Sequence, residues 1–131
     1  MIGELKTHTR HEVQNLVEKG AIIPVDAIPG QFTSGIFSRY KKNHTQDNPK
    51  IRVILNLKPL NRHVRSITFR METLAGIRVF LRPNWFVSSL DCIDAYFNIG
   101  VHSSHQKFLR FFWDGQCWQY VCLPFGLKSV G

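Results

Sequence analysis

Leu90-Asp91-Cys92-Ile93-Asp94-Ala95-Tyr96-Phe97 follows closely on Trp85-Phe86-Val87, so an apolar run ends on an acid, with a second acid three residues on and an aromatic just beyond. Trp85, Phe86, Val87 and Leu90 read as a buried strand. An unpaired carboxylate at the end of a buried strand is costly unless a cation meets it. Asp91 is therefore a candidate metal ligand. The plainer alternative is a turn former, since Asp is common where strands end.

Working outward, Lys107 to Trp113 and Gln116 to Cys122 alternate as two strands joined by Asp114-Gly115. Both central positions of such a turn favour left-handed backbone, so Asp114 reads as a turn former and not as a catalytic acid. Upstream, Gly35 to Lys41 and Lys50 to Leu57 form a second antiparallel pair across the polar, flexible link 42–49. Thr9-Arg10-His11-Glu12 has capping-box spacing, Val13, Leu16 and Val17 share a face and Gly20 ends the pattern, which predicts a helix over 10–19. Ala21 to Val25 is extended, and Pro24, Pro29 and Gly30 mark a loop. Met71 to Arg82 predicts a second helix stopped by Pro83 and weakened by Gly76. The reading is mixed α+β with no internal repeat.

The chain has 131 residues, 44% hydrophobic and 12% aromatic, enough for one domain with a core and too apolar for disorder. Its formal charge of +8 suggests a polyanionic partner. Residues 1–70 carry 12 Lys and Arg against 5 acids, and residues 71–131 carry 5 against 4. The surplus thus lies in the first half. Three cysteines, Cys92, Cys117 and Cys122, with no Cys-x-x-Cys pair, suit a reducing compartment better than a disulfide framework. His102-Ser103-Ser104-His105 has ligand-like spacing but lies in a Ser-rich turn, which argues against a zinc site. No apolar run approaches membrane-spanning length, and Met1 to Lys6 lacks the apolar centre of a signal peptide, so the expected location is intracellular, cytoplasmic or nuclear, with no membrane partner.

Leu90 to Phe97 resembles the first catalytic motif of reverse transcriptases, an apolar residue, Asp, two variable residues and Asp-Ala-Tyr-Phe. Two further blocks follow the family order. Lys50-Ile51-Arg52-Val53-Ile54-Leu55-Asn56-Leu57-Lys58-Pro59-Leu60-Asn61 is similar to the fingers motif that ends in Leu-Asn and carries a nucleotide-binding Arg. Trp118-Gln119-Tyr120-Val121-Cys122-Leu123-Pro124-Phe125-Gly126-Leu127 is similar to the Leu-Pro-Phe-Gly-Leu motif beside the incoming nucleotide. Lys107 to Phe111, with His102 and His105 before it, leans towards retrotransposon enzymes of the DIRS and Ngaro type. The resemblance runs from about Arg10 to Ser129.

This resemblance implies a right-hand polymerase fingers subdomain with a partial palm: 1–84 as the N-terminal fingers, 85–99 as a palm strand with the first motif, 100–123 as a fingers hairpin and 124–131 as the start of a truncated palm. It implies template-directed addition of deoxynucleotides to a primer 3′ end by two-metal phosphoryl transfer, on an RNA or DNA template-primer, with deoxynucleoside triphosphates and two magnesium ions. Asp91 would be the catalytic carboxylate that bridges both ions, facing Arg52 across one cleft. Arg52 would grip triphosphate oxygens with its planar fork, and Lys41, or Lys42 with the register shifted by one, would meet the terminal phosphate. Asp94 and Ala95 would offer backbone amides to phosphate, the Asp94 side chain bracing the loop. Tyr96 would be the bulky gate under the sugar, with Pro124, Phe125 and Gly126 framing base and sugar from the other side. Charge alone makes Lys107, Arg110 and Arg78 candidates for template contact. The family's Tyr-x-Asp-Asp hairpin is not in this sequence, and Lys128-Ser129-Val130-Gly131 departs from the family pattern. The resemblance therefore implies an inactive isolated chain with fingers better ordered than 123–131, and a palm strand at 85–91 with open edges. The alternative is a non-catalytic, basic nucleic-acid-binding remnant of a retroelement, which needs no magnesium and binds in a salt-sensitive way.

Overall fold

The computed structural model describes residues 3–43, 45–47 and 50–128. Helix α1, Gly3–Glu18, opens the chain. It ends in a Schellman turn: Gly20 has φ +71°, its amide donates to the Val17 carbonyl, and the Ala21 amide donates to the Leu16 carbonyl, each at 3.0 Å. The chain passes straight into strand β1, Ile22–Val25. Strands β2, Gly35–Tyr40, and β3, Ile51–Asn56, pair antiparallel as a separate hairpin, with Arg39 opposite Arg52 and Ser38 opposite Val53. Of the link between them, residues 44, 48 and 49 lie outside the described residues.

Short helices follow at α2, Lys58–Asn61, α3, Leu74–Arg78, and α4, Ser103–Gln106, with a 3-10 turn at Ala95–Asn98 between the last two. Strands β4, Arg110–Trp113, and β5, Gln116–Tyr120, complete a three-stranded antiparallel sheet in the order β1-β5-β4. The hairpin turn is the expected one, Asp114 at φ +51° and Gly115 at φ +77°. A parallel bridge between Ser34 and Phe111 joins the root of the β2–β3 hairpin to this sheet.

Val13, Ala21, Ile22, Leu57, Leu60, Leu109, Phe111, Tyr120 and Cys122 form one buried cluster, drawn from α1, β1, α2 and both strands of the second hairpin. Leu16, Val17, Ile36, Leu55 and Phe97 pack against it. Phe111, at 0% exposure, is its centre. On burial alone, Phe111→Ala would cost about 3–5 kcal/mol.

Three expectations need correction. Helix α1 starts seven residues before the expected 10, so Thr9 is not an N-cap: it is buried within the helix, where its hydroxyl donates to the Leu5 carbonyl at 2.7 Å and meets Ser38 Oγ. The helix expected over Met71 to Arg82 shrinks to α3, which buries none of its residues. The strand expected over Trp85 to Leu90 is not formed. Phe86 and Leu90 are 105% and 99% exposed, because no described strand offers this segment a ladder partner or covers its apolar side chains. The expected Ser-rich turn at His102 to His105 forms as a helical one, with the His102 ring accepting from the Ser104 amide.

Candidate functional site

A cavity of about 610 Å³ opens under the inner face of the β2–β3 hairpin. Its hairpin wall is Ile36, Ile51, Val53 and Leu55, which alternate onto that face. Its helical wall is His8, Glu12, Asn15 and Leu16, a single stripe of α1, continued by Lys19 just past the end of the helix. Lys41, Arg52, Asp94 and Phe125 also line it, with Phe97 and Tyr120 below. Four of the residues singled out in the sequence therefore meet in one hollow, although they come from three segments far apart in the chain.

Local chemistry explains how Asp94 is held. Its backbone is left-handed, φ +50° and ψ +48°, an uncommon state for a residue with a side chain. The carboxylate does not cap the 3-10 turn that follows; it pairs instead with the Lys19 ammonium at 2.8 Å. That hydrogen bond raises the Lys19 pKa above its ordinary value. Asn98 Nδ2 donates to the Asp94 carbonyl at 3.2 Å, closing the turn from its other end. Nothing local in the sequence marks Lys19 as the partner of the Asp94 carboxylate.

Tyr96 and Phe97 both meet Phe125 edge to face, at ring-centroid distances of 4.9 and 5.7 Å. The aromatic beyond the acids and the aromatic of the Leu-Pro-Phe-Gly-Leu block are thus in direct ring contact. Asn61 holds the second of these blocks in place: its Nδ2 donates to the Gly126 carbonyl at 2.9 Å and its Oδ1 accepts from the Lys128 amide at 2.8 Å. Gly126 sits at φ +89°. Pro124 is buried in packing and does not line the cavity, and Ala95 is exposed.

The outer face of the β2–β3 hairpin is strongly basic. Arg39, Lys41, Lys42, Lys50 and Arg52 line a hollow of about 620 Å³ together with Tyr40, Asn43 and Ile54, with no acid among its described lining residues. Arg39 lies directly across the ladder from Arg52, and the Lys41 amide donates to the Lys50 carbonyl at 2.7 Å, so cations confront cations on neighbouring strands. Like charges so placed are destabilising, and an anion bound between them relieves the repulsion. Lys41 and Arg52 border both hollows, whereas Lys42 borders the outer one alone.

Other expectations are not met. Asp91 is exposed and lines neither hollow, so it does not face Arg52 across a shared cleft. The reason is the unpaired segment before it, which leaves nothing to aim its carboxylate inward. Arg110 is a structural residue: its guanidinium donates to Gln119 Oε1 at 2.9 Å and to Gln31 Oε1 at 2.7 Å, which takes it away from any template. Among the described residues, no group of three His, Cys, Asp or Glu side chains converges on a metal site. With Asp94 committed to Lys19, Asp91 is one hard oxygen donor by itself, a donor set that does not fit two magnesium ions.

No family model matches the sequence, and no curated protein matches it. Solved structures do match. The native crystal structure of prototype foamy virus protease-reverse transcriptase is similar over 98% of this chain with a TM-score of 0.73 and 15% identity. The foamy viral protease-reverse transcriptase dRH in complex with double-stranded DNA is similar over 98% of this chain with a TM-score of 0.70 and 16% identity. This chain spans 16% and 20% of the length of those two chains. At such identity the likeness speaks for the fold, which is reverse-transcriptase-like: mixed helix and antiparallel sheet in the same arrangement. No helix among the described residues is long and apolar enough to cross a membrane.

Proposed function

We propose that this chain is the nucleotide- and template-binding part of a reverse transcriptase of a retrotransposon, nearest the DIRS and Ngaro type, with the fingers over 1–84 and 100–123 and palm segments at 85–99 and 124–131. The observation that carries the reading is the convergence of Lys41, Arg52, Asp94 and Phe125 on one cavity. Two cations and an aromatic ring around an apolar floor suit a deoxynucleoside triphosphate: Lys41 and Arg52 for phosphate, and Phe125, with Tyr96 packed against it from outside the cavity lining, for sugar and base. The basic outer face of the hairpin suits a nucleic-acid backbone, and a foamy viral relative in fold is known in complex with double-stranded DNA.

Magnesium belongs to the reaction that the resemblance implies, where it would stabilise charge on the transferred phosphoryl group. Asp91 alone is too small a donor set for that role, so what these residues do by themselves is bind and orient. Arg52 holds phosphate oxygens, Phe125 and Tyr96 limit the space beside the sugar, and the hairpin carries the template backbone.

The test is saturable binding of a deoxynucleoside triphosphate to the purified chain, read by displacement of a fluorescent analogue. A charged, two-point phosphate contact is worth roughly 1.5–3 kcal/mol, so Arg52→Ala should weaken binding about tenfold or more while the circular dichroism spectrum is unchanged. Binding that is absent in the wild type, or indifferent to Arg52→Ala, overturns the nucleotide-site reading. Salt-sensitive oligonucleotide binding in the absence of any triphosphate binding would favour the non-catalytic remnant instead.

A further inference from the structure

The turn at Asp94 lies between an exposed, unpaired stretch of chain and a paired one. On its N-terminal side Trp85 to Ile93 is exposed and outside any ladder, with Ile93 at 87% exposure. On its C-terminal side Gly100 bridges Cys122, the Leu123 amide donates to the Ile99 carbonyl at 3.0 Å, and the Val101 amide donates to the Val121 carbonyl at 3.0 Å. The left-handed backbone at Asp94 persists only if its surroundings fix it. The contacts from Phe97 and Asn98 to its carbonyl come from within the turn itself. The Lys19 ammonium is the contact that reaches it from a different element.

Lys19 is itself well placed to act as an anchor. It is the cap residue of the Schellman turn, with its own amide bonded to the Asn15 carbonyl at 3.0 Å. Two residues later the chain enters the core at Ala21 and Ile22, each 2% exposed. Its backbone therefore cannot drift, and its ammonium stands at the edge of the same cavity as Lys41 and Arg52.

We infer that Lys19 is a positioning residue of the nucleotide site, which ties the acid-bearing turn at Asp94 to the C-terminal end of α1 and so sets that turn against Arg52 and Phe125. The inference rests on the nucleotide-site reading for its purpose but not for its geometry. Lys19→Met keeps the aliphatic length and removes the charge. Lys19→Arg keeps the pair. Asp94→Asn removes the charge while tolerating the left-handed backbone.

Hydrogen exchange at the Phe97 amide, which is bonded to the Asp94 carbonyl at 2.9 Å, reports the turn, and the Val121 amide, bonded to the Ala21 carbonyl at 3.0 Å, reports the core. Losing a partly exposed ion pair should speed Phe97 exchange by roughly two- to fivefold in Lys19→Met and in Asp94→Asn. The double variant should be no faster than either single one, Lys19→Arg should restore the slow rate, and Val121 should not change. Wild-type exchange at Phe97 in Lys19→Met overturns the anchor, and so does acceleration at Phe97 and Val121 alike, which means general destabilisation. Triphosphate affinity is the second arm: it should fall in Lys19→Met and recover in Lys19→Arg. Faster exchange with unchanged affinity overturns the positioning role. A wild-type chain that binds no triphosphate would sink the nucleotide-site reading, while the exchange arm would still decide whether Lys19 orders the turn.

Discussion

Tyr120 is 7% exposed in the sheet core, and burial pushes its phenol above the usual tyrosine range. Burial likewise pushes up the Cys122 thiol beside it. Both groups favour their neutral forms in the folded chain, so the stability they contribute is complete below the unfolded-state pKa values and is lost as pH rises through the folded ones. The thiol begins to cost stability above about pH 8.5 and the phenol above about pH 10, each at up to about 1.4 kcal/mol per pH unit. Tyr120→Phe should leave the urea midpoint at pH 7 nearly unmoved and flatten its fall above about pH 10; a fall as steep as in the wild type would mean that Tyr120 ionises without unfolding. At this scale the sequence was informative where residue type dictates chemistry. Arg52, Asp94, Phe125 and the pair Lys41 or Lys42 were singled out by the family resemblance, and of these Arg52, Lys41, Asp94 and Phe125 line one cavity. Lys19 was not, because its partner lies 75 residues away and nothing in a helix-ending lysine announces a long-range contact. Asp91 was recognisable as a type but not in its placement, which depends on a strand that does not form.

The helix stop at Gly20 and the Asp114-Gly115 turn were read correctly, whereas the capping box at Thr9, the strand at Trp85 to Leu90 and the helix over Met71 to Arg82 were not. Asp114-Gly115 specifies its hairpin through backbone geometry alone, and β4 and β5 form on either side of it. The hairpin β2–β3 likewise follows from alternation, with Ile51, Val53 and Leu55 on the face towards α1, while Arg39, Lys42 and Lys50 border the outer hollow alone and Lys41 and Arg52 border both. Trp85 to Leu90 has the composition of a strand, but a strand exists only when a neighbour accepts its hydrogen bonds. Met71 to Arg82 has helical periodicity, yet a helix without a buried face retains little beyond propensity, and Gly76 lowers that. The turn supplies a test at this scale. Gly115 has φ +77° with open space around the position of a Cβ, so Gly115→Val meets no clash and pays only the backbone cost of the left-handed state. That cost is roughly 1–2 kcal/mol or more for a β-branched residue. Thermal melts should show the loss, and Gly115→Asn should recover most of it because Asn tolerates that backbone. Equal stability of the Val and Asn variants would show that the turn does not limit the hairpin.

At the scale of the whole molecule, burial is divided unevenly. The core cluster draws on α1, β1, α2, β4 and β5, while the stretch from Ile67 to Ile93 leaves Ile67, Phe69, Met71, Leu74, Val79, Phe80, Phe86, Val87, Leu90 and Ile93 more than half exposed. Isolated exposed apolar residues are ordinary; this many along one stretch of chain exceed that and make it prone to adhesion. Side chains as exposed in the fold as in the unfolded chain contribute nothing to the folding equilibrium, so two consequences separate cleanly. Phe86→Ser with Leu90→Ser should shift stability by no more than about 0.5 kcal/mol, in contrast to the several kcal/mol expected of Phe111→Ala. The same double variant should sharply reduce binding of a hydrophobic dye and concentration-dependent association in sedimentation velocity. If it instead lowers the melting temperature as Phe111→Ala would, Phe86 and Leu90 are buried in solution, and the segment before Asp91 has found a packing partner that would also re-aim the Asp91 carboxylate.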